Sequence, residues 1–204
     1  MGFYERRILP RLIDFGMRQK QLGRLREHLV GRARGRVLEI GIGSGRNLPF
    51  YPRDLDILLG LDPSPELLQM ARAHSTWVHF PVELSEGCAE DIPLDDRAVD
   101  HVVMTWTLCS VADPIRALLE LRRVLRPGGS LLFIEHGRAP QPRVQRWQDR
   151  LTPLWRRLAG GCHLNRPIDR LIEESGFRLA ELETGYLVKG PRVATYHYRG
   201  RALA

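Results

Sequence analysis

The middle of the chain alternates between two patterns of hydrophobic and polar positions. Short apolar runs of strand length are separated by segments in which apolar residues recur at helical spacing, such as Leu118, Leu121 and Leu125 after Pro114. Five strands are predicted in this way, at residues 36–40, 56–61, 78–84, 98–106 and 130–135. Strands that alternate with helices predict right-handed βαβ units and a mainly parallel sheet.

Both ends of the chain depart from this alternation. Apolar residues at helical spacing between Tyr4 and Val30 predict an N-terminal helical cap, which Pro10 is expected to break or kink in its first turn. After Gly137 the pattern predicts two helices and then two strands joined by a Gly-Pro turn, at residues 144–158, 167–175, 177–186 and 192–198. The two strands predict a terminal antiparallel hairpin.

Length and composition indicate one domain. The chain has 204 residues, of which 43% are hydrophobic and 27% are charged, as in globular proteins. We expect an N-terminal cap, an α/β core, a helical lid and a terminal hairpin, at residues 1–35, 36–137, 138–176 and 177–204. No apolar run is long enough to span a bilayer, and the charged start lacks a signal-peptide core, so we expect a cytoplasmic protein.

The net charge is +7, and the charged side chains are distributed unevenly along the chain. Residues 1–36 carry ten basic and three acidic side chains, residues 138–170 carry eight and two, and residues 37–137 carry eight and fifteen. Two basic segments therefore flank an acidic middle. Such segments favour nucleic acid, an anionic membrane surface or an anionic substrate as a partner, and two solvated amphipathic helices are the alternative.

The three cysteines are widely spaced in the sequence. Cys88, Cys109 and Cys162 include no CxxC pair, and His163 beside Cys162 is not a metal-binding spacing. A disulfide framework is therefore not expected, and no metal site is predicted.

A glycine-rich loop follows the first predicted strand. Gly41, Gly43 and Gly45 allow the backbone to turn sharply and approach a ligand, but Arg46 occupies the sixth position of the dinucleotide fingerprint. Glu39 precedes the loop by two residues. A pyrophosphate gains nothing from that carboxylate, whereas a ligand that carries an ammonium group and a sulfonium does.

Three further features follow in order along the chain. Asp62 ends the second strand, where a carboxylate accepts hydrogen bonds from ribose hydroxyls. Ala89 and Glu90 are placed to border an adenine ring, and Pro127-Gly128-Gly129 turns the chain into the fifth strand. Each feature also has a purely structural explanation, but an α/β protein without such a ligand rarely combines all of them at these spacings.

These segments resemble the class I S-adenosylmethionine-dependent methyltransferases. VLEIGIGSG is similar to their first motif, LDPSPELL to the acidic second, CAEDIPL to the adenine-bordering third and RVLRPGG to the turn before strand five. The resemblance implies a Rossmann-like, seven-stranded, mostly parallel sheet with an antiparallel last strand in a three-layer α/β sandwich. It also implies S-adenosylmethionine as the cofactor, bound by Glu39, Gly41, Ile42, Gly43, Gly45, Asn47, Asp62, Pro63, Ala89, Glu90, Thr105 and Trp106.

The segments after strands four and five carry acceptor information in that fold. TLCSV, the Glu135-His136 pair, WQ…P-x-W and GC-x-L-x-R are similar to the thiol S-methyltransferases of the animal methyltransferase-like group. This implies a small, fairly apolar thiol or sulfide acceptor. The core more loosely resembles phosphatidylethanolamine N-methyltransferases and quinone C-methyltransferases. Methylation of a phospholipid, a quinone or a natural product therefore stays open, as does a non-catalytic binding module.

A thiol acceptor needs little assistance, because thiols titrate near ~8.5. His136 is the candidate group that takes the thiol proton, and Glu135 and Cys109 are further catalytic candidates. A strand-end histidine bonded to the backbone is the alternative for His136. The acceptor pocket is expected to be lined by Trp106, Trp147, Trp155, Cys162 and His163.

The two basic segments are expected to fold together over the cofactor as a lid. In this fold both would lie at the carboxyl ends of the strands, where open α/β sheets bind ligands. Leu12 and Phe15 of one segment would then form the pocket wall with Trp147 and Trp155 of the other. No basic-aromatic surface motif accompanies the tryptophans, so nucleic acid is not expected as a partner. Peripheral contact with an anionic membrane stays open.

Overall fold

The computed structural model describes residues 4–204, without the side chains of Glu5 and Arg6. Its seven-stranded sheet has the order β3-β2-β1-β4-β5-β7-β6. Strand β7 is antiparallel to both neighbours, β5 and β6, and the other paired strands are parallel. The strands are β1 (Arg36–Ile40), β2 (Ile57–Asp62), β3 (Val82–Glu86), β4 (Val99–Thr105), β5 (Leu125–His136), β6 (Arg178–Tyr186) and β7 (Tyr196–Leu203). The predicted sheet is confirmed.

Helices cover both faces of this sheet. The α-helices of the described residues are α1 (Leu9–Met17), α2 (Lys20–Val30), α3 (Pro65–Ser75), α4 (Pro114–Val124), α5 (Pro142–Leu158) and α6 (Ile168–Glu174). Helices α4 and α6 contribute to the hydrophobic cluster on one face of the sheet. Helices α2 and α3 contribute to the cluster on the other face. The arrangement is the predicted three-layer sandwich.

Alternation of side chains along the central strands produces these two clusters. In β5, Leu131 and Phe133 belong to one cluster, whereas Leu132 and Ile134 belong to the other. All four side chains are fully buried or nearly so. Strands covered on both faces show continuous apolar runs in the sequence rather than an alternation of apolar and polar positions.

Several predicted boundaries differ from the structure, and β5 begins at Leu125 instead of residue 130. The N-terminal cap changes from a π-helix (Tyr4–Ile8) to α1 just before Pro10, where a kink is expected, and it breaks a second time at residues 18–19. Strand β3 begins at Val82 instead of residue 78, directly after Pro81, which has no N–H for the ladder. Strand β7 begins four residues late, because its pairing with both β5 and β6 sets its register.

The topology places a crevice next to β1. Strand β1 pairs in parallel with β2 on one side and β4 on the other, so the chain leaves β1 and β4 in opposite directions across the sheet. Ligands bind at such switch points, outside the carboxyl ends of the strands. Glu39, Asp62 and Thr105 lie at those ends.

Candidate functional site

The glycine-rich loop begins directly after β1 and bends back over the sheet. Gly41 and Gly45 have φ of +66° and +79°, a region that side chains with a Cβ rarely adopt. A Cβ at Gly41 would also overlap the side chain of Thr107. The amides of Gly41 and Ile42 both donate to the carbonyl of Leu61, which fastens the loop to β2.

Glu39 is a buried carboxylate beneath this loop, with 1% of its surface exposed. Asn47 Nδ2 donates to its Oε1 at 2.9 Å, and the Tyr51 hydroxyl donates to its Oε2 at 2.8 Å. Burial raises the pKa of Glu39 to about 8, although these two hydrogen bonds favour the charged form. A cationic ligand group nearby would compensate the cost of that buried charge.

Asp62 connects the glycine-rich loop to the start of α3. Its Oδ2 accepts a hydrogen bond from Gly43 N at 2.9 Å, and its Oδ1 accepts one from Ser64 N at 2.9 Å. Burial raises its pKa, and the two amides oppose that rise. The carboxylate is thereby held in one orientation at the end of β2, where it keeps lone pairs for a hydroxyl donor.

Glu90 and Ala89 lie at the opposite wall of the crevice. Glu90 Oε1 accepts hydrogen bonds from Ala112 N at 2.8 Å and Asp113 N at 3.1 Å, which fixes the loop before α4. Ala89 is 6% exposed and packs into the hydrophobic cluster on its side of the sheet. The segment thus presents a rigid, mostly apolar edge to the crevice.

A cavity of about 580 Å³ occupies this crevice. All but one of the predicted cofactor residues line it, namely Glu39, Gly41, Ile42, Gly43, Asn47, Asp62, Pro63, Ala89, Glu90, Thr105 and Trp106. Gly45 does not line it, because its backbone packs against Leu48 and Ala71 behind the loop. The volume suits a cofactor of nucleoside size together with part of a small second ligand.

Two segments from opposite ends of the chain cover the cavity. Leu9, Ile13 and Met17 of α1 line it from one side, and residues 159–161, after α5, line it from the other. The two segments meet where the Tyr4 hydroxyl donates to the carbonyl of Leu158 at 2.7 Å. We call the described part of these segments, residues 4–17 and 158–161, the roof.

The predicted wall residues of the roof are wrong. Leu12 and Phe15 are 53% and 76% exposed and face away from the cavity, because Leu9, Ile13 and Met17 form the inward stripe of α1. Trp147 is 50% exposed on α5 among arginines, outside the cavity. Trp155, Cys162 and His163 also lie outside the cavity lining.

The sequence analysis does not identify the two arginines of the cavity lining. Arg26 lies over the Trp106 ring at 4.8 Å and donates to the carbonyl of Met17, and burial lowers its pKa to about 10. Its place between Leu22 and Leu29 on the apolar face of α2 was the available signal. Arg46 also lines the cavity, and its Nε donates to Asp14 Oδ1 at 2.7 Å.

Asp14 fastens the roof to the glycine-rich loop. It is 5% exposed, and its Oδ1 also accepts a hydrogen bond from Ser44 Oγ at 2.6 Å. Burial acts to raise the pKa of Asp14, but hydrogen bonds from Ser44, Arg46 and Arg18 hold it below its ordinary value. An acid on the buried side of α1 is therefore part of the site's framework.

Glu135 has a structural position rather than the expected catalytic one. It is fully buried, and its carboxylate accepts hydrogen bonds from Thr107 N at 2.7 Å, Leu108 N at 2.9 Å and Cys109 N at 3.3 Å. Burial raises its pKa to about 7, against the effect of these amides. A carboxylate enclosed in this way cannot reach an acceptor, so it shapes the turn after β4.

Cys109, His136 and Cys162 come together behind the cavity wall, and we call them the Cys-His-Cys cluster. His136 Nε2 lies 3.3 Å from Cys162 Sγ, and Trp155 Nε1 donates to the same sulfur at 3.2 Å. Cys109 and His136 are 2% and 8% exposed, and neither lines the cavity. Direct contact of these two residues with an acceptor in the cavity is therefore not supported by the geometry.

Comparison with known proteins agrees with this site. A family described as "Methyltransferase domain" matches residues 38–133. A solved structure from Thermotoga maritima, described as an S-adenosylmethionine-dependent methyltransferase and possible histamine N-methyltransferase, superposes with a TM-score of 0.67. It is 22% identical, and the match covers 98% of this chain and 99% of that one, which shows a shared fold.

The fold and the site resemble those of the class I S-adenosylmethionine-dependent methyltransferases, and residues 38–133 match the methyltransferase-domain family. Within that class, the chain is similar to the thiol S-methyltransferase TMT1B of Rattus norvegicus, with 38% identity over 72% of this chain. The chain spans 62% of that relative's length. It is also 36% identical to a phosphatidylethanolamine N-methyltransferase of Cereibacter sphaeroides, over 50% of this chain and 51% of that one.

The residues of the cavity fit S-adenosylmethionine. The tight glycine-rich loop admits close approach of a ligand, Asp62 offers acceptors for two ribose hydroxyls, and Glu39 offers a buried negative charge for a cationic ligand. Among the described residues, no helix is both long enough and apolar enough to cross a bilayer.

Proposed function

We propose that the protein transfers a methyl group from S-adenosylmethionine to a small, fairly apolar thiol. The cofactor supplies an electrophilic methyl on a sulfonium sulfur. A thiolate attacks that methyl in line, so one C–S bond forms as another breaks, and the products are a thioether and S-adenosylhomocysteine. The thiol proton leaves to solvent before the transfer. Positioning of the two reactants then accounts for most of the rate.

One observation carries the choice of a thiol. No histidine or lysine occurs among the described residues that line the cavity. Its carboxylates, at Glu39, Asp62, Glu66 and Glu90, already accept hydrogen bonds from side chains or backbone amides. An ammonium acceptor, which titrates near ~10, would need a base to lose its proton, whereas a thiol near ~8.5 is partly ionised at neutral pH.

The apolar roof supports a fairly apolar acceptor. Leu9, Ile13 and Met17 face Trp106 and Val111 across the cavity, and a water-poor pocket of this kind strengthens a thiolate nucleophile. The similarity to thiol S-methyltransferases agrees with this reading. His136 remains a proposed contributor only through the Cys-His-Cys cluster, since its ring does not face the cavity.

A phospholipid amine is the second candidate, because α1 and α5 expose apolar side chains beside arginines. Phe15, Trp147 and Leu154 are at least half exposed, and Trp147 is surrounded by Arg143, Arg146 and Arg150. Such a surface suits the anionic face of a membrane. We therefore propose peripheral membrane contact, which serves either a lipid acceptor or an apolar thiol dissolved in the bilayer.

The test is a panel of matched acceptors incubated with methyl-labelled S-adenosylmethionine. We expect labelled thioethers from apolar thiols and no product from amines or quinols of similar size. Two thiols whose pKa values differ by about two units should give rate profiles whose inflections follow the pKa of each thiol. Asp62→Ala should lower labelling roughly 5- to 150-fold at subsaturating cofactor concentration, which assigns the activity to this site.

Two results would contradict the proposal. Methylation of amines or quinols without methylation of thiols would show that the acceptor is not a thiol. An inflection at the same pH for both thiols, lost in His136→Gln, would show that a protein base rather than the thiol's own ionisation controls the reaction.

A further inference from the structure

The Cys-His-Cys cluster joins three segments that are distant in the sequence. Cys109 lies in the turn after β4, His136 is the last residue of β5, and Cys162 follows the roof segment after α5. The sulfur and nitrogen atoms that they can offer to a metal all lie within 4.8 Å of one another. None of these residues has a role in holding the cofactor, so the cluster calls for a separate explanation.

The spacing fits a tetrahedral metal ion. Zinc binds cysteine sulfur at about 2.3 Å and histidine nitrogen at about 2.0–2.1 Å, so two tetrahedral ligands lie roughly 3.5–3.8 Å apart. Cys162 Sγ and His136 Nε2 are separated by 3.3 Å. A shift of a few tenths of an ångström therefore brings them to coordination distance.

The surroundings of Cys162 favour a thiolate ligand. Trp155 Nε1 donates to Cys162 Sγ, as outer hydrogen-bond donors do at metal thiolates. The chain around Cys109 is held by Glu135, which bonds its amide, and by His163, whose backbone N–H donates to its carbonyl at 2.8 Å. Cys109 is thus positioned by backbone contacts that do not use its sulfur.

His136 supplies a second, independent observation. Its Nδ1 is buried without a hydrogen-bond partner in the described residues, so protein contacts leave half of the ring unsatisfied. With a proton on Nδ1, the lone pair of Nε2 points at the sulfur atoms. Most metal-binding histidines bond an acceptor through their other nitrogen, and the lack of one here predicts an affinity roughly 10- to 100-fold below that of a fully supported site.

We propose that Cys109, His136 and Cys162 bind one zinc ion, or another thiophilic divalent cation, with the fourth coordination position open. The ion would link the turn after α5 to the ends of β4 and β5. Because residues 159–161 of that turn form part of the roof, the metal would stabilise the covered form of the cavity. The sequence predicts no metal site because it has no CxxC pair, but that criterion covers only ligands that are neighbours in the sequence.

The test uses tag-free, reduced protein, stripped with a chelator and titrated with Co²⁺ in the absence of oxygen. We expect one equivalent to bind, with intense thiolate-to-cobalt absorption and the visible bands of a tetrahedral ion, and Zn²⁺ should displace it. Cys162→Ser and Cys109→Ser should weaken binding at least tenfold. Cys88→Ser, which changes the exposed third cysteine, should bind as the unchanged protein does.

Trp155→Phe keeps all three ligands and removes the hydrogen bond to Cys162, and its 40% exposed side chain makes misfolding a small risk. It should shift the charge-transfer band and weaken binding. Circular dichroism and S-adenosylhomocysteine binding verify that each variant is folded. The proposal fails if the reduced protein binds no cobalt, or if Cys162→Ser binds it unchanged. It also fails if a Cys109–Cys162 disulfide forms and its reduction yields no metal binding.

Discussion

Three buried carboxylates lie at or next to the carboxyl ends of β1, β2 and β5, yet their surroundings differ. Glu39 meets two side-chain donors under the glycine-rich loop, Asp62 bridges two backbone amides, and Glu135 is enclosed by three amides of one turn. The cavity exposes the first two and not the third. A carboxylate at a strand end becomes a ligand-binding group only if its neighbours leave it acceptor capacity toward the crevice.

Asp62→Ala tests this reasoning at one residue. Loss of the ribose contacts leaves unmet polar groups and costs about 1–3 kcal/mol, so S-adenosylhomocysteine should bind roughly 5- to 150-fold more weakly. Titration calorimetry measures the affinity. Glu86→Gln is the matched control, because Glu86 pairs with Asp62 in the sheet but is exposed and does not line the cavity. Unchanged affinity in Asp62→Ala would exclude the assigned cofactor position.

At the scale of elements, the helical periodicity of α1 does not by itself show which of its faces is turned toward the cavity. Two apolar stripes run along this helix: Ile8, Leu12 and Phe15 on one side, and Leu9, Ile13 and Met17 on the other. Both have helical spacing, so periodicity alone does not select the inward one. The buried anchor of Asp14 to Ser44 and Arg46 selects it, and this contact spans 30 residues.

Asp14→Asn should loosen the roof. Removal of the charge weakens the bonds to Arg18 and Arg46, which predicts a loss of about 1–3 kcal/mol and hydrogen exchange in α1 that is roughly 5- to 150-fold faster. In the unchanged protein, S-adenosylhomocysteine should slow exchange in residues 9–17 and 158–163 together. Exposed Asp56→Asn serves as the control. Separate protection of the two segments would show that they do not close as one roof.

At the scale of the whole molecule, charge and exposed apolar surface coincide. The basic segments 1–36 and 138–170 contain α1 and α5, the helices that expose Phe15, Trp147, Leu154 and Leu158. Arg150 also lies near the Trp147 ring at 5.8 Å. Contact with an anionic bilayer would bury the apolar side chains and neutralise the arginines at the same time.

Vesicle sedimentation tests this contact. The protein should bind vesicles that contain phosphatidylserine more strongly than purely phosphatidylcholine vesicles, and binding should decline as salt is raised from about 0.05 to 0.5 M. Arg146→Ala should weaken binding about fivefold, because one arginine near the surface contributes about 1 kcal/mol. Trp147→Ala should also weaken it, whereas Trp77→Ala, in the turn after α3, should not, although Trp77 is 83% exposed. Equal effects of the two tryptophan changes would refute a specific membrane face.

The sequence by itself determined the sheet, its strand directions and eleven of the residues that line the cavity. The reason is that each loop and the strands on either side of it are close in the sequence. Their glycines, acids and apolar runs therefore stand at short, regular separations. Boundaries at Pro81 and at β7 moved because a proline and a pairing partner, rather than the pattern of one segment, decided where each strand began.

Only the tertiary structure decided which side chains share a space. Cys109 and Cys162 are 53 positions apart, and Glu135 reaches the amides of residues 107–109, so no spacing rule brings either set together. The same holds for Asp14 under the glycine-rich loop and for Trp147 outside the cavity. Periodicity shows which residues share a face of a helix, whereas packing against non-local segments decides which face is turned toward the cavity.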